Sequence, residues 1–339
     1  MNQAYYLWLR LMRLVLVLVG LSIIIFVVAR LVPGDPARIA LGPLATPAQV
    51  QALHIKMGLD QPIVVQYIDY IANLFQGDMG QSTVTDRPVL TDITSALPAT
   101  LELVLVAITF TACIGMPLGI LAAYRPNGLF DQFSRITSLV GVVTPSFLIA
   151  LMLQLAASLG WIELPVTERL SASFNYSGGA TGLILLDSAL QGRWDVWGNA
   201  LQHILLPALA LSAAGISQVM RITRSSMIEF SHRDHVETLR ACGVSKRKVN
   251  FKYLLRLSAS APLTILGLEF ASLIGNAFVV EMVFSWPGVA SYGVRSILHK
   301  DFNAVIGVVL VSGVFFIVVN LLIDFIIGLV DPRVKLKGA

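Results

Sequence analysis

Charge is what this sequence has least of. Only 13% of its 339 residues are Asp, Glu, Lys or Arg, against 56% apolar, and the mean hydropathy is +0.76. A chain of this length in water would need a polar surface that such a composition cannot supply, so a pair of soluble domains is excluded. Cysteine is scarcer still. Cys113 lies in an apolar run and Cys242 in a basic one, and no disulfide is expected. There is no Gly-x-x-x-x-Gly-Lys-Ser/Thr phosphate loop, so the chain cannot itself hydrolyse ATP by that chemistry. Neither His-Glu-x-x-His nor Gly-x-Ser-x-Gly occurs. His54, His203, His232, His235 and His299 are scattered over loops and a helix end, which argues against a metal site and an intramembrane enzyme.

Long apolar runs are abundant. A bilayer core about 30 Å thick needs about 20 mostly apolar residues per helix, because nothing inside it but the chain satisfies backbone polar groups. Six windows qualify: 11–32, 100–124, 136–162, 200–220, 257–283 and 305–330. The chain is therefore expected to be an all-α polytopic membrane protein with about six transmembrane helices. The first window is longer than a signal-peptide core and is expected to be retained. In the fourth, Gln202, His203 and Pro207 dilute the apolar run. Pro207 should kink it, and its polarity suits a protein-facing position.

Orientation follows from the cations. With the N-terminus inside, Arg10, Arg13, Arg125, Arg135, the nine Lys/Arg between Arg221 and Arg256, and Arg333, Lys335 and Lys337 share one side, sixteen of the 24. That bias places both termini in the cytoplasm. It also accounts for the net charge of +4 without a nucleic-acid partner.

The first external segment, 31–99, carries helix signals of its own. Thr46-Pro47 is a helix start and Gly58 a stop. After Pro62, residues Ile63, Val64, Tyr67, Ile68, Ile71, Leu74 and Phe75 fall on one face of a helix lying on the membrane surface or on the bundle. The segment 161–199 is polar, with at most one short helix.

The largest cytoplasmic segment is 221–256. Val236, Leu239 and Ala241 before Gly243, and Val249, Phe251, Leu254 and Leu255 after it, suggest two short helices joined at the glycine, with Ser245 capping the second. A basic loop touching anionic lipid fits the same residues. Within the spans, Glu269 is the clear intramembrane acid, while Glu102 and Asp324 sit near span ends. Facing lipid would cost Glu269 a few kcal/mol. It is expected to point inward, with Ser272 and Asn276 on the same face. Phe284, Trp286, Pro287 and Gly288 close the fifth span as an external gate, a contact for a binding protein, or a belt anchor.

Glu237-Thr238-Leu239 followed by Gly243 resembles the Glu-Ala-Ala-x-x-x-Gly motif of binding-protein-dependent ABC permeases, with Thr238 and Leu239 in place of the alanines. The resemblance is closest to the dipeptide, oligopeptide and nickel group. It is carried by Pro33-Gly34-Asp35-Pro36, Gly58-Leu59-Asp60-Gln61-Pro62, Gly77-Asp78-Met79-Gly80, the run Arg221 to Met227, Phe284-Ser285-Trp286-Pro287-Gly288 and Asp331-Pro332-Arg333, in that order along nearly the whole chain. Ala261-Pro262 stands where the family has Leu-Pro.

The resemblance implies a type I importer permease bundle in the bacterial inner membrane. It also implies a second homologous permease subunit, two cytoplasmic ATPase subunits holding ATP and Mg, and a periplasmic substrate-binding protein. Glu237, Thr238, Leu239, Gly243, Val244 and Ser245 would then dock on an ATPase as a coupling helix, which transmits rigid-body motion. The competing class is an ion-coupled secondary transporter, which would show inverted repeats, broken helices and several buried acids.

Overall fold

The computed structural model describes residues 3–31, 36–42, 44–56 and 58–330. Pro33-Gly34-Asp35, Asp331-Pro332-Arg333, Lys335 and Lys337 lie outside the described residues. Among those described, regular structure is helical, and the single β contact is an isolated antiparallel bridge between Gln81 and Pro88.

The first window is α1 (Gln3–Leu31), followed by the short α2 (Pro36–Leu41), α3 (Pro47–Lys56) and α4 (Ile63–Phe75). Thr46 and Gln49 cap α3 reciprocally, since Thr46 N donates to Gln49 Oε1 at 2.9 Å and Gln49 N to Thr46 Oγ1 at 3.4 Å. The second window is α5 (Val89–Phe110), a wide five-residue turn at Thr111–Gly115, and α6 (Met116–Tyr124). Pro117 explains the wide turn. It has no N–H to give the carbonyl of Cys113, and its ring crowds that carbonyl, so the helix widens there rather than ending.

The third window is not one helix. α7 (Leu129–Val143) and α8 (Ser146–Ser158) meet at 104°. Pro145 is the cause: the residue before a proline is driven out of helical geometry, and Thr144 sits at φ −77°, ψ 121°. The segment 161–199 holds one short helix, α9 (Ile184–Leu190).

The fourth window lengthens into α10 (Trp194–Ser231), whose 38 residues span about 57 Å at about 1.5 Å per residue. Pro207 is buried within α10 and does not interrupt it. The basic segment therefore opens as the last turns of α10, continuing through α11 (Asp234–Ala241), α12 (Lys246–Lys248), a second wide turn at Val249–Leu254 and α13 (Leu255–Ser258). The fifth and sixth windows are α14 (Ser260–Val283) and α16 (Phe302–Val330), with α15 (Val289–Leu298) between them. Among the described residues, four helices are long and apolar enough to cross a membrane, and the α7–α8 pair is a fifth if its two bent halves count as one span.

Two compact units share these helices. One holds the described residues up to Pro98 with Gly288–Ile317. In it Phe26, Ile306 and Leu310 form a core against which Tyr67, Tyr70 and Leu74 of α4 pack. Tyr67 and Tyr70 meet Phe26 ring to ring at 5.4 and 5.7 Å, and the Tyr67 hydroxyl lies 2.8 Å from Ser22 Oγ. That edge of α4 thus lies on the bundle, while Ile63, Val64, Ile68 and Phe75 stay exposed. The Gly77-Asp78-Met79-Gly80 turn closes with Asp78 Oδ1 accepting from Gly80 N at 2.7 Å. Beyond it Ser82 Oγ and Thr83 N donate to buried Asp301 at 2.5 and 2.8 Å.

The other unit holds Ala99–Pro287 with the described residues from Val318 onward. α10 is its axis, packed against α6, α7, α8, α9 and α14. This helix is the most enclosed of the candidate spans, with 67% of its apolar window buried. That accounts for its polarity: His203 is buried, its ring nitrogens 3.1 Å from Ser171 Oγ and 2.9 Å from the Thr167 carbonyl.

Candidate functional site

Three groups of residues in the second unit bear on function. The first is the turn around Gly243. α11 ends with Gly243 N donating to the Arg240 carbonyl at 3.0 Å and Val244 N to the Leu239 carbonyl at 3.1 Å. That pair of bonds needs a left-handed residue, and Gly243 supplies it at φ +75°. Leu239 and Val244, brought together by this closure, pack on a core of Ile120, Met227, Val236, Val249 and Leu254. One face of α11 is thereby fixed to α6 and α10, and Glu237 and Thr238 are left exposed on the other. Thr238 Oγ1 donates to the Asp234 carbonyl at 2.8 Å. Ser245 precedes α12 as expected, but its side chain makes no capping hydrogen bond; its carbonyl accepts from Val249 N at 3.0 Å.

The second group lies on α14. Glu269 is half-buried, while Ser272 and Asn276 are exposed along the same side. Ser272 Oγ donates to the Glu269 carbonyl at 2.9 Å and reaches its carboxylate at 3.4 Å. The carboxylate also approaches α10 where α10 has no side chain. A Cβ on Gly215 would stand 3.2 Å from Glu269 Oε2 and 3.1 Å from Thr111 Oγ1. The widened turn of the second window, the bare backbone of α10 and the α14 carboxylate therefore converge. Sequence spacing grouped Glu269, Ser272 and Asn276, but Thr111 and Gly215 escaped it because they come from other helices.

The third group is the knot where 161–199 meets α5 and α14. The Arg169 guanidinium pairs with Glu102 at 2.6 Å, and Leu185 N donates to the other Glu102 oxygen at 2.7 Å. Trp286 is 1% exposed and Phe284 likewise. The Trp286 indole donates to the Ala99 carbonyl at 2.8 Å, and the Arg169 guanidinium carbon lies 5.8 Å from its ring centre. A belt anchor or a direct partner contact needs an exposed ring, and this one is enclosed by its own chain. Pro287 and Ser285 are the exposed residues of the turn, and Gly288 is buried. Sequence reading passed over Glu281, which is fully enclosed on α14 and accepts from Thr100 Oγ1 at 2.6 Å. Its signal was an acid still inside the fifth window.

Apolar helices long enough to cross a membrane, packed around α10, are the architecture of a membrane transport subunit, and the comparisons agree. The chain belongs to the family described as binding-protein-dependent transport system inner membrane component, which it matches over residues 115–336, preceded by that family's N-terminal component over 4–104. It is thus a permease subunit of an ABC importer in the inner membrane, and ATP hydrolysis belongs to separate ATPase subunits.

Among its relatives is the probable D,D-dipeptide transport system permease DdpB of Escherichia coli, 39% identical over 326 residues, 96% of either chain. The dipeptide permease DppB of Alkalihalophilus pseudofirmus is 36% identical over 96% of this chain and 98% of its own. The oligopeptide permease AppB of Bacillus subtilis is 33% identical over 94% and 95% respectively.

Proposed function

We propose that this chain pairs with a second homologous permease to form the pathway for a dipeptide or short peptide, driven by two ATPase subunits that bind ATP and Mg and supplied by a periplasmic binding protein. The relatives named above are dipeptide and oligopeptide permeases matched almost end to end, which supports the cargo class. The observation that carries the mechanism is the pinning of α11 to α6 and α10 through Val236, Leu239 and Val244. A helix held that way passes a push from an ATPase into the bundle, whereas a tethered loop would absorb it. Glu237, Thr238, Leu239, Gly243, Val244 and Ser245 form the docking element in this reading, and the segment 221–256 is the coupling loop.

Glu269, Ser272 and Asn276 line the pathway. The polar side of α14 is open to whatever lies beyond this chain, and facing lipid there would cost a few kcal/mol. The Phe284–Gly288 turn contributes to the external gate through Pro287, with Phe284 and Trp286 holding it from within.

The test is a cross-link. In a Cys242→Ser background, Thr238→Cys in the assembled transporter should link to an ATPase subunit, with a yield that changes on adding ATP. A Thr238→Cys protein that links only to lipid or to nothing in either state rules out the docking role. Cargo is read separately: with the cognate binding protein, dipeptides should stimulate ATP hydrolysis and free nickel should not.

A further inference from the structure

Beyond α11, the chain from Lys246 to Ser258 runs directly into the α14 span and must cross the level of the lipid head groups. Its wide turn at Val249–Leu254 has a consequence for the side chains. One extra residue per turn places Val249 and Leu254, five apart, together in the core, so Phe251, Lys252 and Tyr253 all stay outside. The exposed side then carries Lys246, Arg247, Lys248, Lys252 and Arg256, with Phe251, Tyr253 and Leu257 among them. The nearest acids in sequence are Glu237 and Glu269, and among the described residues none of these cations has a carboxylate within ion-pair distance. Lys246 and Lys252 instead lie over aromatic rings, Nζ being 5.1 Å from the Tyr124 ring centre and 6.0 Å from that of Tyr253. The Tyr124 and Phe251 rings are 6.3 Å apart.

We infer that this face binds anionic phospholipid head groups, Lys246, Lys248, Lys252 and Arg256 meeting the phosphates while Phe251 and Tyr253 enter the acyl boundary. Orientation by the positive-inside rule needs only cations somewhere in the loop. It does not require three exposed apolar side chains among them on the side that continues into a span. Cations on flexible stems mixed with aromatic rings are the composition of a surface that lies in the interface. An ATPase groove is the less fitting occupant, because the docking element ends at Ser245 and this stretch runs on from there into the α14 span. The surface would hold the base of the coupling element at a fixed depth, so that motion of α11 reaches α14.

The experiment uses the assembled transporter in nanodiscs of phosphatidylcholine alone or mixed with phosphatidylglycerol, with retained lipid identified by native mass spectrometry. The Lys246→Gln/Lys248→Gln/Lys252→Gln variant should lose selectivity for phosphatidylglycerol while keeping its ATPase subunits. Each cation removed should lower that selectivity about fivefold, on the order of 100-fold for the three, and less at high salt. Lys252→Gln alone should lower it about fivefold, while Arg240→Gln, which removes the same charge from α11, should leave it unchanged. Unchanged selectivity in the triple variant, an equal fall in Arg240→Gln, or loss of the ATPase subunits from the triple variant would each overturn the assignment. The last would give the face to a protein partner.

Discussion

Arg224 holds Asp131 with both edges of its guanidinium, Nε on Oδ1 and Nη2 2.9 Å from Oδ2, and so ties the last turns of α10 to the first turn of α7. Asp131 is wholly enclosed and also accepts from Asn127 N at 2.8 Å, while Arg135 adds a second cation at 3.5 Å. Removing one partner of such a pair strands a buried charge, at about 3–5 kcal/mol, whereas removing both can be nearly neutral. The double variant Asp131→Ala/Arg224→Ala should therefore melt in detergent above Asp131→Ala alone. Arg224→Lys should fall between wild type and Arg224→Ala, since an ammonium cannot replace the two-pronged contact. Additive losses would mean that the pair carries no coupling.

A second expectation concerns Gly243. Nothing lies within 4 Å of a Cβ built there, so a larger side chain meets no obstacle and acts only through the backbone at φ +75°. The left-handed conformation costs an ordinary L-residue about 1–2 kcal/mol, and Asn much less. Gly243→Val should insert normally yet lose transport as α11 shifts, while Gly243→Asn should retain most of it. Normal substrate-stimulated ATP hydrolysis by the Gly243→Val complex would remove the turn from the mechanism.

What could be read without coordinates was what depends on neighbours in sequence. Five of the six apolar windows, the stop at Gly243, a short helix within 161–199 and the start of α3 at Thr46-Pro47 are local and fall on helices or turns as expected, whereas the third window breaks in two. Burial of Trp286 was not legible, because its partner Ala99 is 187 residues away and a tryptophan at a span end fits an interface equally well. The Arg224–Asp131 pair lies 93 residues apart and was hidden in the same way. Pro145 was a local signal left unused within a window otherwise apolar enough to pass as one helix.

Trp286 now carries a different expectation from the one its position suggests. A fully buried indole that also satisfies the Ala99 carbonyl supports the fold itself. Trp286→Ala should cost about 3–5 kcal/mol through the cavity it opens. Its first symptom should be reduced yield and early melting, with transport per correctly folded molecule near normal. Trp286→Phe keeps most of the volume and loses the hydrogen bond, for about 1–3 kcal/mol. Wild-type yield and melting of Trp286→Ala with lost binding-protein-dependent uptake would restore a gating role for the ring.

Glu269 offers the sharpest test of the pathway. Its carboxylate lies beside the bare backbone of Gly215 and the Thr111 hydroxyl, with Ser272 one turn on and Asn276 a further turn beyond. The anion in that position would attract the ammonium end of a peptide or a cationic side chain, whereas a structural carboxylate would need only its hydrogen bonds. Glu269→Gln separates the two roles, since it keeps the size and the hydrogen bonding and removes the charge. Transport of lysine-containing dipeptides should fall more than that of dipeptides with neutral side chains, by about tenfold if the contact is worth about 1.4 kcal/mol. Gly215→Ala, which sets a methyl against the same carboxylate, should shift the preference in the same direction with a smaller effect. Equal uptake of both substrate types by Glu269→Gln at every pH tested would leave the carboxylate with a structural role alone.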